Sequence, residues 1–359
     1  VPPRHAVLEG WPFKPVSIET AHDRDPIVIE ERRMKKLLLG AVAACLTMVL
    51  AGPAVQAAPV IIKVAYENNP GEPVDKVMHY WADMLKEKSK GEITLDLYPS
   101  SRLGAKKDVT EQAMMGLNVI TITDVGFLTD FDQDLGILFG PYLTDDPQKL
   151  FKLYESDWFK KKNEALKKKG IHIVMTNYLY GVRHMLTKKP VKALADLKGM
   201  KIRVPNNTMQ IKAIEAMGAT ATPMPLGEVY PALTQGLIDG VENPISVLYG
   251  QKLHEQAKNL IMVGYLTNTS LWIGGEAFFA KLPAAQLKLV HDTAHEAGLY
   301  SQKIVTDLDN EMINKMKAEG VAVMTPDIGP FKQATKGVYT QFPKWTPGLY
   351  DQIQKELAK

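Results

Sequence analysis

Two α/β lobes joined by more than one crossing of the chain are what this sequence predicts. Three observations carry the reading. Short β-rich runs alternate with amphipathic helical patterns from Ile61 onward, the same rhythm restarts around a second centre at Met200, and no low-complexity linker separates the two. The length of 359 residues suits two domains of roughly 100–200 residues each. With 45% hydrophobic and 23% charged residues, the composition argues against wholesale disorder.

Ile61–Ala65 reads as a strand, bounded by Asn68-Asn69-Pro70-Gly71. Val74, Val77, Met78, Trp81, Met84 and Leu85 then fall at helical spacing on one face, and Gly91 ends that element. A strand over 93–98, a helix over 111–115 and a strand over 119–123 follow. Strand–helix–strand units of this kind indicate parallel pairing with helices on the sheet faces. The second centre has strands at 200–204 and 219–222, helices at 210–217 and 228–237, and a short run at 240–244. From Pro283 to Met316 the pattern is helical, broken only by Gly298, so long connecting helices are expected there.

The first 57 residues are read as lying outside the fold. Met34-Lys35-Lys36 precedes an apolar run from Leu37 to Leu50, then Gly52-Pro53, then Val55-Gln56-Ala57. Basic, apolar and small-residue parts in that order form a secretory signal peptide over 34–57, cleaved after Ala57. The run is shorter than the roughly 20 residues a membrane span requires. Residues 1–33 are polar and are expected to be an over-extended reading frame, with synthesis starting at Met34. Val42-Ala43-Ala44-Cys45 resembles a lipoprotein box, but the apolar run continues to Leu50 where a lipoprotein turns polar.

Several function classes are excluded on counts alone. Lys+Arg 43 against Asp+Glu 40 gives a net charge of +3, too little for a dedicated nucleic-acid binder. One cysteine excludes a disulfide framework and a cysteine-based zinc cluster. No Gly-rich phosphate loop, H-E-x-x-H or G-x-S-x-G occurs. His291 and His295 share a helix face but lack a third placed ligand, so a solvated face is the better reading. Asp130, Asp132 and Asp134 imitate the start of a calcium loop, yet Leu135 and Pro141 stand where glycine and glutamate are needed. Asp307 and Asp309 read as surface acids. An exported hydrolase acting on an acidic substrate is the competing class, and it lacks a nucleophile paired with a base. No enzyme activity, cofactor or metal is expected.

The positive signal is positional. In open α/β sheets, ligands sit at the carboxyl ends of strands. Arg203 ends one strand, Pro225-Leu226 follows the next, and Asn243 ends a third. A buried guanidinium at such a place calls for a carboxylate or phosphate, with an internal ion pair to Asp or Glu as the equal alternative. Arg183 is a second candidate near the start of the second lobe. Asp124 ends the strand 119–123, where it either accepts ligand hydroxyls or caps the next turn. Asn69 follows the first strand and either donates to a ligand or forms a turn.

Longer stretches then carry a resemblance. Tyr98-Pro99-Ser100-Ser101-Arg102-Leu103-Gly104, the run from Lys189 to Pro205, Pro223 to Tyr230 and Asp239 to Pro244 together resemble the DctP-type solute-binding proteins of tripartite ATP-independent periplasmic (TRAP) transporters. The likeness covers nearly all of 60–325. It implies a two-lobed periplasmic-binding-protein architecture with a hinge cleft, which closes on an organic acid and delivers it to a sodium-coupled permease. The lobes are expected over 58–180 with 269–308, and over 181–268 with 309–359. The resemblance implies that Arg203 forms the salt bridge to the ligand carboxylate, with Arg183 and Asn243 joining it. Leu226 stands where relatives often carry phenylalanine, so ring packing on the ligand is not carried over. Asp124 stands where relatives vary, which marks it for selectivity. Placed at the far end of the ligand it suits hydroxyls and repels a second carboxylate, favouring a sugar acid over a C4-dicarboxylate. A receptor of an ATP-driven importer shares the two-lobe architecture, but the motifs around Arg203 and Asn243 argue against it.

Overall fold

The computed structural model describes Met34 and residues 58–359. The expected extension 1–33, the body of the expected signal segment 34–57 and Cys45 lie outside the described residues. The first strand–helix units are β1 (Val60–Ala65), α1 (Pro73–Lys88), β2 (Ile93–Tyr98), α2 (Lys106–Met114) and β3 (Val119–Thr123). Helices α3 (Pro147–Glu155) and α4 (Asp157–Lys168) lead into β4 (Ile171–Thr187). The second set is β5 (Lys201–Val204), α5 (Thr208–Ala216), β6 (Thr220–Pro223), α6 (Val229–Thr234) and β7 (Gly240–Pro244). The chain closes with α7 (Ile245–Gly250), β8 (Asn259–Gly275), α8 (Glu276–Phe279), α9 (Ala284–Ala318), β9 (Ala322–Met324), α10 (Gly329–Thr335) and α11 (Leu349–Leu357).

The expected parallel units are present: β1 lies between β2 and β3, and β5 between β6 and β7. What joins them is one nine-stranded sheet of order β2-β1-β3-β8-β4-β7-β5-β6, with β9 beside β8. The connection is made by β4 and β8, each 17 residues long. They pair antiparallel with each other, while β8 meets β3 at one end and β4 meets β7 at the other. Sequence periodicity does not reveal them, because strands buried on both faces lose the apolar–polar alternation.

Strands of this length must bend, and the β4–β8 pairing shifts register at four places between Ile173 and Met185. Such bulges increase local twist. At one of them Gly181 adopts φ +130, and a Cβ there would lie 2.9 Å from the Pro244 side chain, so only glycine serves. The Leu179 amide at the same bulge donates instead to Ser301 Oγ of α9, at 3.0 Å. The sheet divides the interior: Met185, Ile261 and Ile273 belong to one apolar cluster, Leu186, Leu260 and Trp272 to the other.

The expected helices after Pro283 are a single helix, α9, of 35 residues. Its buried stripe runs through Val290, Ala294, Ala297, Ser301, Val305, Met312 and Met316. Gly298 does not break it; the Asn177 amide occupies the space a Cβ would take, 2.1 Å away at its nearest atom. Near its start α9 is tied to α1 by Trp81 Nε1 donating to Thr293 Oγ1 at 3.0 Å. Further along, Asp309 Oδ1 accepts the Ser246 amide of α7 at 3.0 Å.

Asp309 is therefore no surface acid, contrary to expectation. It is half-buried, and burial pushes its carboxyl up to about 7, against the Ser246 hydrogen bonds. His291 also departs from a solvated face: its Nε2 lies 2.9 Å from His172 Nε2 and its Nδ1 donates to the Val174 carbonyl, while His295 is exposed. Asp132 and Asp134 hold the Lys162 ammonium, at 3.0 and 2.7 Å. Because the folded pKa of Asp309 is raised, stability present below the ordinary carboxylate range fades as pH rises towards about 7. Asp309→Asn is expected to match wild type in melting temperature near pH 4 and to exceed it near pH 8. Identical pH profiles for the two proteins would contradict this.

Candidate functional site

A cavity of about 460 Å³ opens where the carboxyl ends of β3, β5, β6 and β7 meet the start of α2. Of the six residues singled out in the sequence, Arg203, Arg183, Asn243, Asp124 and Leu226 line it. Asn69 does not; its Nδ2 donates to the Gly250 carbonyl at 3.1 Å and its Oδ1 accepts from Ser100 Oγ at 2.7 Å.

Arg203 lies within β5, two residues before Pro205, which follows the end of the strand. The β5–β6 pairing continues one step further through the Met224 amide bonded to the Val204 carbonyl. That step brings the Met224 carbonyl to the guanidinium, where it accepts from Nε at 3.0 Å and Nη2 at 2.6 Å. Arg203 is 3% exposed, yet no carboxylate pairs with it among the described residues. Burial pulls its pKa down to about 10, with Glu242 and Glu67 offsetting this only in part. It stays charged at neutral pH, with no counter-ion in contact among the described residues.

Arg183 has the opposite circumstances. Its Nε and Nη2 grip the Glu242 carboxylate at 2.5 and 2.8 Å, Nη2 also reaches the Glu242 carbonyl, and Nη1 donates to Asn268 Oδ1 at 2.9 Å. Four of five donors are used, leaving one N–H of Nη1. Burial opposes the charge, but the Glu242 carboxylate outweighs it and raises the pKa. Glu242 is fully buried and also accepts from Tyr265 Oη and Gln210 Nε2. The internal ion pair that the sequence left open for Arg203 is thus made by Arg183.

Asp124 follows β3 and is buried. Its Oδ1 accepts from Ser270 Oγ at 2.7 Å and Asn268 Nδ2 at 3.2 Å, and its Oδ2 faces Lys106 Nζ at 3.3 Å. It does not cap the following turn. Burial alone would raise its pKa, but Lys106, Arg183 and the two hydrogen bonds hold it below the usual carboxylate range. Asn243 is 3% exposed, and its side-chain amide bonds to no protein group among the described residues. Leu226 supplies apolar wall.

Lys106, Glu67, Tyr180 and Phe127 also line the cavity and were missed. Helix α2 starts at Lys106, five residues before the expected helix, because the Asp108 carboxylate accepts the Ala105 amide at 3.1 Å and closes the first turn. Helix starts face the same sheet edge as strand ends, and that rule would have found Lys106. Gly126 is required on this wall: a Cβ there would lie 1.7 Å from the Asn207 amide nitrogen, which packs across from the start of α5.

The comparisons agree with one another. Residues 64–344 match the family model DctP, bacterial extracellular solute-binding protein, family 7. The sialic acid-binding periplasmic protein SiaP of Vibrio cholerae is 30% identical over 261 residues, 73% of this chain and 81% of that protein. A TRAP periplasmic solute-binding protein from Ochrobacterium anthropi, solved with bound L-fuconate, is 68% identical with a TM-score of 0.83, covering 84% of this chain and all of the other. Another, from Actinobacillus succinogenes with bound L-galactonate, is 44% identical with a TM-score of 0.82, covering 83% and 99%.

Glu242→Gln leaves Arg183 buried without its charge partner and is expected to cost about 3–5 kcal/mol of folding stability. Denaturant unfolding checks it; a loss below about 1 kcal/mol would show the pair to be dispensable.

Proposed function

The chain belongs to the DctP family of TRAP-transporter solute-binding proteins, and from that premise we propose that its cavity takes an open-chain six-carbon sugar acid as a monoanion. It is a receptor that hands a small organic acid to a TRAP membrane permease, and not an enzyme. The ligand carboxylate lies on Arg203, with the remaining Arg183 N–H and the Asn243 amide beside it. Hydroxyls reach Asp124, which Asn268 links to Arg183, and Leu226 covers carbon. Asn69 takes no part in this reading.

The observation that carries it is a buried guanidinium whose only hydrogen-bond partner among the described residues is a carbonyl. An uncompensated buried charge is unfavourable, so an anion of matching shape is stabilised there. The two solved relatives hold L-fuconate and L-galactonate, both six-carbon aldonates, which supports the ligand class.

Closure is a hinge motion at the crossing of β4 and β8, between the lobes 58–180 with 269–308 and 181–268 with 309–359. The bulge and left-handed backbone at Gly181 support that boundary. Members of the family are extracytoplasmic; for this chain export proceeds through the segment 34–57, and the permease is sodium-coupled.

L-Fuconate or L-galactonate is expected to raise the melting temperature of wild type, since a ligand of the native state stabilises it. Arg203→Met should weaken binding by about 3–5 kcal/mol, while its ligand-free melting temperature stays equal or rises. Near-native affinity in that variant by calorimetry would refute the assignment.

A further inference from the structure

Lys106, at the start of α2, lines the cavity in specific surroundings. Its side chain is 11% exposed, and the ammonium lies 5.4 Å from the Phe127 ring centre and 5.7 Å from that of Tyr180. The rings hold the cation by their π-faces. Among the described residues Asp124 Oδ2 supplies the only carboxylate contact of the ammonium, at 3.3 Å, and Asp124 is itself held by Ser270 and Asn268 of β8. An ammonium has three donors, so two N–H groups remain beyond the one facing Asp124. Lys106 thus offers hydrogen bonds towards the cavity while its charge is neutralised.

We propose that Lys106 and Asp124 act together as the element that admits a hydroxylated monoacid and rejects a diacid. This rests on the reading that Arg203 takes the first carboxylate. A hydroxyl matches the pair twice over: its oxygen accepts from Lys106 Nζ, and its proton goes to Asp124 Oδ2. A second carboxylate can only accept, so it contends with Asp124 for the ammonium and gives Asp124 no proton. The cavity lining as a whole is balanced, with Glu67, Glu111, Asp124 and Asp130 against Lys106, Lys107, Arg183 and Arg203, so the discrimination rests on the Lys106–Asp124 pair itself. The cation at this end is masked, the one at Arg203 is free, and the cavity therefore distinguishes the two ends of a ligand.

The test uses L-galactonate and the six-carbon diacid galactarate, measured by calorimetry on wild type, Asp124→Asn, Lys106→Gln and the double variant. Asp124→Asn unmasks the ammonium and is expected to bind galactarate about tenfold more tightly than wild type, while L-galactonate weakens. Lys106→Gln and the double variant should show no gain for galactarate. An unchanged galactarate affinity in folded Asp124→Asn, or a gain that persists in the double variant, would overturn the proposal. Wild type that binds galactarate as well as L-galactonate would also overturn it, leaving the role of Arg203 intact. If wild type binds neither acid, the underlying ligand reading fails first. Should Asp124→Asn not fold, Lys106→Gln still decides: unaltered L-galactonate affinity there contradicts the proposal.

Discussion

The site depends on a positive charge held away from water without a negative one beside it. Arg203 could be stabilised internally, and the fold shows how: Arg183, on the neighbouring strand system, has a carboxylate, an amide and a carbonyl arranged around it. Among the described residues Arg203 receives only the Met224 carbonyl, bonded twice. The difference has a thermodynamic sense. A charge already paired gains little from a ligand, whereas an unpaired buried charge gains the full interaction. Arg183 is satisfied by Glu242, while Arg203 has no carboxylate partner among the described residues, and the proposed reading gives that place to the solute.

The same logic connects the site to the frame. The parallel strands of two separate units present their carboxyl ends to one edge because β4 and β8 run through both and hold them in one sheet. Where the registers of the two 17-residue strands shift, Ser301 takes over the amide bond surrendered at Leu179. Helix α9 is fastened to α1 by Thr293 and to α7 by Asp309, so it spans the same crossing. In the proposed reading, a ligand bonded to both Arg203 and Asp124 couples to that geometry.

The short strands, the parallel units and four of the cavity residues, Asp124, Arg203, Leu226 and Asn243, were legible because each depended on local pattern and on where strands end. Arg183, inside β4, was carried by the resemblance. The long strands were not legible, since burial on both faces removes the alternation. The partner of Arg183 was hidden for the same reason: Arg183 lies opposite Pro244 in the β4–β7 register, two residues from Glu242, and without β4 that contact has no basis. Lys106 was hidden by a helix start set by the Asp108 cap and not by apolar spacing. Asp309 was legible in principle. It falls four residues after Val305 on the apolar stripe of α9, where a carboxylate is out of place.

The central claim is that Arg203 recognises the carboxylate, and the most direct measurement compares L-galactonate with galactitol, which carries a hydroxymethyl group in place of the acid. Affinities of both for wild type and Arg203→Met form a double-difference cycle. The account predicts a preference for the acid of about a hundredfold or more in wild type, as for a buried charge pair, and its near disappearance in the variant. An equal preference in both proteins would place the carboxylate elsewhere and contradict the account.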